Sequence, residues 1–149
     1  MPDSMHKKLE SISVQCDEFF LNEHLSKLVE EANVSIPQIE VKDLAIDESI
    51  IMLDVREPEE FASGAIPAFI NLAIPRGKLE FLAIEKIAKV YGQNAKIITY
   101  CLKGPRGSLA AMQLKKLGFA NVSNLKGGIM EWIKSGKTIK NYMGEFRLV

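Results

Sequence analysis

Cys101 closes an apolar, β-rich run, Ile97-Ile98-Thr99-Tyr100, and opens the stretch Cys101-Leu102-Lys103-Gly104-Pro105-Arg106, which Gly107 and Ser108 follow. A thiol is a nucleophile once ionised, and nearby positive charge and backbone amides favour the ionised form. Lys103 and Arg106 supply the charge. Gly104 and Gly107 let the backbone curl inward, because glycine tolerates positive φ. The amides of Leu102, Lys103, Gly104, Arg106 and Gly107 are then able to converge as an anion-binding nest, which Pro105 cannot join for want of an N–H. The chemistry that fits is nucleophilic covalent catalysis by a thiolate. The competing reading is a buried structural cysteine, the commoner fate of a free thiol. The succession of strand, glycine-rich loop and helix favours the functional one.

The elements needed to hold this thiol can be read on either side of it. Residues 97–100 predict a buried strand and residues 101–106 a short loop. Leu109, Met112 and Leu117, with alanines between them, predict a helix from Ser108 stopped by Gly118. A helix N-terminus under the loop stabilises an anion there. Residues 50–55 predict a second strand with Asp54 and Arg56 at its carboxyl end, the end at which open α/β sheets build their sites. Asp54 and Arg56 are read as supporting residues, an ion pair or hydrogen bond bracing the Cys101 loop. Glu57-Pro58-Glu59-Glu60 predicts a helix start, and Gly64 its stop.

The remaining segments extend this alternation. Residues 34–45 predict a short strand and one helical turn, since Ile36-Pro37 argues against a helix running through. Residues 70–72 predict another short strand. Leu79, Leu82, Ile84, Ile87 and Val90 predict a helix ending near Tyr91-Gly92. Residues 122–125 predict the last strand. Gly127-Gly128 opens a helix carrying Ile129, Trp132 and Ile133, with Trp132 in the core. Strands alternating with helices imply an α/β fold with a parallel sheet covered on both faces.

The termini are less informative. Leu9, Ile12, Cys16, Phe19 and Phe20 fall at helical spacings, as do Leu21, Leu25, Leu28, Val29 and Ala32. They predict one long helix or two short ones, packed on the domain or on a second chain. Cys16 is expected in the core, His24 in solvent and His6 in a frayed terminus. Residues 137–149 receive no assignment. Lysines plus arginines number 19, as do aspartates plus glutamates, and this balance gives no support for nucleic-acid binding. The two cysteines lack metal-ligand spacing and do not suggest a disulfide scaffold, so a reducing cytosol suits the chain. No long apolar run at the N-terminus predicts a signal peptide or a membrane span.

The loop Cys101-Leu102-Lys103-Gly104-Pro105-Arg106 resembles the active-site loop of the rhodanese (sulfurtransferase) family, of pattern Cys-x-x-Gly-x-Arg. Leu53-Asp54-Val55-Arg56-Glu57-Pro58-Glu59-Glu60-Phe61 resembles the family's first signature, and Ile66-Pro67 with Ile70-Asn71 its second. Ile74-Pro75-Arg76-Gly77-Lys78-Leu79-Glu80-Phe81 is similar to a stretch of single-domain members, and Leu125-Lys126-Gly127-Gly128-Ile129-Met130-Glu131-Trp132 resembles the C-terminal signature. The resemblance implies a rhodanese-like fold, with a mostly parallel five-stranded sheet and helices on both faces, over residues 36–136. Residues 1–35 are then an N-terminal helical extension and residues 137–149 a C-terminal tail. It also implies a sulfurtransferase that carries sulfur on Cys101 from a donor such as thiosulfate to cyanide or a thiol. In that reading Leu102, Lys103, Gly104, Pro105, Arg106 and Gly107 form the substrate- and persulfide-binding loop, and no metal or organic cofactor is needed. A protein sulfur acceptor is a further expected partner, and the chain is a monomer or a homodimer.

Five positions depart from the pattern. Ala65 replaces the usual histidine before Ile-Pro, and Ala68-Phe69 the usual Gly-Ala after it. Gly107 stands where the family often has Ser or Thr, whose hydroxyl can bond the sulfur; Ser108 comes one place later. Leu102 takes a position that is often polar or basic. Two other functions share parts of the pattern. Cysteine-arginine phosphatases use Cys-x-x-x-x-x-Arg, one residue longer than the spacing here, and a rhodanese-type domain can also be a non-catalytic binding module or a persulfide carrier.

Overall fold

The computed structural model describes residues 16–148. Its strands are β1 (Gln38–Ile39), β2 (Ile50–Asp54), β3 (Ile70–Ala73), β4 (Lys96–Tyr100) and β5 (Val122–Leu125). They form one parallel sheet in the order β1-β5-β4-β2-β3. All five residues of β2 are buried, the continuous apolar run expected of a parallel strand covered on both faces. The helices are α1 (Glu18–Ser35), α2 (Pro58–Ser63), α3 over residues 79–91, α4 (Pro105–Leu117) and α5 (Gly128–Lys134).

Side chains alternate across the sheet. Ile51, Leu53, Ile97 and Cys101 share one face with α3 and α4, packed with Leu79, Ile87, Ala110 and Leu114. Met52, Ile98 and Tyr100 share the other with Ile66, Ile129 and Trp132. The central strand β4 thus carries its last residues into two different cores, with Tyr100 below one face and Cys101 on the other.

Local features correct or extend the sequence reading. Helix α4 begins at Pro105, not Ser108, because proline fits the first helical position with its preset φ and missing donor. The loop is therefore residues 101–104, and Arg106 and Gly107 belong to the first helical turn. Gly64 does end α2, but its φ of 167° is extended. A Cβ there would stand 2.7 Å from Ile139 Cδ1, the tip of a side chain that would have to shift. Residues 137–149 contain a hairpin, β6 (Ile139–Asn141) with β7 (Gly144–Phe146). Its Lys140 exchanges two backbone hydrogen bonds with Ala65, at 2.9 and 2.8 Å.

Cys16 is exposed rather than in the core. Helix α1 packs chiefly by its C-terminal end, where Ala32 is buried, and Phe19, Leu21, Leu25 and Leu28 stay exposed. Asp17 caps the helix by accepting from Phe20 N–H at 3.0 Å. His24 is exposed as expected, whereas His6, Leu9 and Ile12 lie outside the described residues.

Candidate active site

The Cys101 loop spans the gap from β4 to α4. Cys101 is 1% exposed. Gly104, at φ +120°, turns its N–H onto Cys101 Sγ at 3.0 Å. The Gly104 carbonyl accepts the Ser108 N–H at 3.0 Å, the first hydrogen bond of α4. The amides of Arg106 and Gly107 lie in the first turn, where no carbonyl of the same helix can reach them. Among the described residues, no protein acceptor takes the N–H of Leu102 or Lys103. One amide thus binds the sulfur, and among the described residues no protein acceptor takes the other four.

A second helix start fixes the loop from outside. Ile129 N–H donates to Cys101 O at 2.9 Å, and Met130 N–H donates to Leu102 O at 3.0 Å. A trans peptide points its N–H opposite its C=O, so these bonds turn the Leu102 and Lys103 amides away from α5. The close approach requires glycine at 128, where φ is +64° and a Cβ would stand 2.5 Å from Cys101 O. The Gly127-Gly128 pair, read above only as a helix start, is therefore a structural wall of the site.

The charged residues divide their roles. Arg106 grips both carboxylate oxygens of Glu60, at 2.9 and 3.1 Å. Its hydrogen bonds hold the Glu60 carboxyl below its ordinary value, and Glu60 in turn raises the Arg106 guanidinium. Arg106 thus ties α4 to α2, and its charge is locally balanced. Lys103 is exposed and forms no ion pair among the described residues. Asp54 and Arg56 form a buried pair at 2.8 Å, and Arg56 also donates to Gly64 O at 2.7 Å. The ion pair expected from sequence forms, but it braces the turn into α2 and makes no hydrogen bond to the Cys101 loop, which it was expected to brace. Its link to the site runs through the neighbouring backbone, where Val55 N–H donates to Tyr100 O at 3.1 Å. Burial, and then the Asp54 charge, push the Tyr100 phenol far above its ordinary value, and its oxygen accepts the Ile66 N–H.

A neutral network lies on the opposite side of β4. Thr99 and Asn124 are register partners on β4 and β5. The Asn124 amide nitrogen lies 3.0 Å from Ser108 Oγ, 2.9 Å from Gln38 Oε1 and 3.3 Å from Gly104 O. Ser108 Oγ donates to Asn33 on α1. Its hydroxyl is engaged here, and no hydrogen bond joins it to Cys101. The sequence reading gives Glu60 and Gly128 only as helix-start and signature residues and does not join Asn33, Gln38, Thr99 and Asn124 to Ser108; of these, only the double glycine leaves a local signal. A cavity of about 910 Å³ opens elsewhere, between Phe61, Pro67, Asn71, Trp132 and Tyr142, and no residue of the loop lines it.

Known proteins resemble this chain in sequence and fold. A sequence model of the rhodanese-like domain matches residues 38–135. A mitochondrial protein of Schizosaccharomyces pombe, provisionally named a thiosulfate sulfurtransferase, is 39% identical over 94 residues, which are 58% of this chain and 65% of the relative. A Bacillus subtilis protein provisionally named sulfur carrier protein YrkF is 37% identical over 108 residues, 70% of this chain and 54% of the relative. The chain thus spans less than two thirds of either relative. A solved Rhodopseudomonas palustris protein of unknown function, for which tyrosine phosphatase activity has been suggested, superposes with a TM-score of 0.67 at 28% identity, over 78% of this chain and 93% of that one.

Proposed function

The chain belongs to the rhodanese-like domain family, and from that membership we propose that it is a sulfurtransferase working through a persulfide on Cys101. Named relatives support sulfur transfer as the general activity. The observation that carries the finer reading is the 3.0 Å hydrogen bond from Gly104 N–H to Sγ inside a loop with further unpaired amides.

The family resemblance supplies the donor and the acceptor, and the geometry supports two half-reactions. The Cys101 thiolate attacks the outer sulfur of thiosulfate; a sulfur–sulfur bond forms at Cys101, and the donor's own sulfur–sulfur bond breaks. Sulfite leaves with the electron pair, and the terminal persulfide sulfur keeps one negative charge. Cyanide or a thiolate then attacks that sulfur and restores the Cys101 thiolate, so charge balances in both steps and ping-pong kinetics result. The amides of Leu102, Lys103, Gly104, Arg106 and Gly107 stabilise the anionic sulfur without reorganising. Lys103 steers the anionic donor, while Arg106, held by Glu60, keeps the loop in place. The burial of Cys101 suits a small donor better than the surface of a folded protein. A reactive thiol that must stay reduced suits a cytoplasmic protein, with residues 36–136 as the transfer unit.

The test is transfer of sulfur from thiosulfate to cyanide, read as thiocyanate. Wild type should give parallel double-reciprocal lines, and Cys101→Ala should lose turnover while melting as wild type does. Full turnover in Cys101→Ala would overturn the reading. The phosphatase suggested for the Rhodopseudomonas structure does not suit this chain: four residues, not five, separate Cys101 from Arg106, and Arg106 is committed to Glu60. Aryl phosphate hydrolysis that depends on Cys101 would favour the phosphatase instead.

A further inference from the structure

Gly104 is the pivot of the sulfur site. Its N–H meets Sγ, and its carbonyl receives both Ser108 N–H and the Asn124 amide. Glycine at φ +120° has no side chain to select that orientation, so its neighbours must impose it. Asn124 is fully buried and reaches two points of the first turn of α4. Its nitrogen has two hydrogens and three acceptors in range: Gly104 O, Ser108 Oγ and Gln38 Oε1. Its oxygen lies 3.0 Å from Thr99 Oγ1, which is also 2.9 Å from Gly107 O. A Cβ built on Gly107 would run into Asn124 Oδ1, whereas its next neighbour outside this side chain, Tyr100 Cα, stands at 3.4 Å. Asn124 therefore occupies the room that a side chain at 107 would need.

We propose that Asn124 is a positioning residue for the Cys101 nucleophile, acting through Gly104 and Gly107 to keep the amide cradle aimed at Sγ. The proposal rests on Cys101 being the reacting thiol. Asn124 and Gly107 are a coupled pair: the size of one is set by the other. The full network runs from α1 (Asn33) through α4 (Ser108) to β5, so the N-terminal helix is fastened to the same turn that carries the free amides.

The experiment measures alkylation of Cys101 by iodoacetamide against pH, in a Cys16→Ser background that removes the exposed thiol. Asn124→Ala should slow alkylation at neutral pH about tenfold and move the profile to higher pH. It should lower kcat for thiosulfate-to-cyanide transfer about ten- to a hundredfold, with a smaller change in KM. Should Asn124→Ala fail to fold, Asn124→Ser provides the same readout. Gly107→Ser alone should be destabilised by its clash with Asn124, yet be accepted in the Asn124→Ala background, where the space is open. Folded Asn124 variants with the wild-type alkylation profile would overturn the proposal, and so would additive effects of the 107 and 124 substitutions. A wild type that transfers no sulfur but whose alkylation still depends on Asn124 would refute the proposed function alone. A wild type that transfers sulfur with Asn124 variants unaltered would refute this inference alone.

Discussion

Two buried polar clusters flank the end of β4, and they do different work. On the β2 side, Asp54 and Arg56 form an ion pair that closes on itself and on Gly64 O. On the β5 side, Thr99 and Asn124 form an uncharged network that ends on the active-site loop. A buried ion pair is costly to break, because one partner is left charged and unsolvated. A buried amide network costs less to alter but transmits geometry. The ionic cluster therefore secures the fold, and the neutral one secures the aim of the amides.

The sharpest way to break this comparison is Arg56→Ala. It leaves Asp54 buried without its partner and should cost about 3–5 kcal/mol, lowering Tm by roughly 10 °C in a calorimetric scan. Below that transition the alkylation profile of Cys101 should stay near wild type. A profile displaced as far as in Asn124→Ala would merge the two roles. Gly128→Ala comes next, since it adds a side chain against Cys101 O at positive φ. It should cost about 1–3 kcal/mol and also slow sulfur transfer, because it moves the loop itself; unchanged kcat would show that α5 does not hold the amides. Glu60→Gln should cost about 1 kcal/mol or less, as both partners are partly exposed. It should also raise the apparent KM for thiosulfate, because it loosens the turn that Arg106 holds, and an unchanged or lowered KM would contradict the bracing role given to Arg106.

The smallest effect is a pH dependence. The Glu60 carboxyl lies below its ordinary value of 4.5 through its hydrogen bonds from Arg106. Its contribution is complete above that value and is lost as pH falls through the lowered one. Acid titration of wild type should therefore show a slightly steeper loss of stability than Glu60→Gln in this window, measured by urea midpoints.

What could be read in the sequence follows from distance along the chain. The Cys101 loop is contiguous, and Asp54 and Arg56 are two residues apart at a strand end, so both were visible as local patterns. A parallel sheet follows from strands and helices whose apolar periodicity spans several residues each, and its five strands are what the family resemblance implies. The Asn124 network draws single residues from α1, β1, β4, α4 and β5, and nothing in the spacing of Asn33, Gln38, Thr99, Ser108 and Asn124 announces it. Glu60 and Arg106 meet across 46 residues. The tail hairpin has strands of three residues, too short for an alternation to register. Cys16 was misplaced for a related reason: helical spacing locates an apolar stripe but does not say what covers it.

The most direct test of the persulfide account is intact mass after brief incubation with thiosulfate, for wild type and Cys101→Ser. The account predicts a gain of one sulfur, about 32 Da, in wild type, removed by cyanide and absent in the variant. An unchanged wild-type mass with thiosulfate and with a persulfide donor, or a gain that persists in Cys101→Ser, would contradict it.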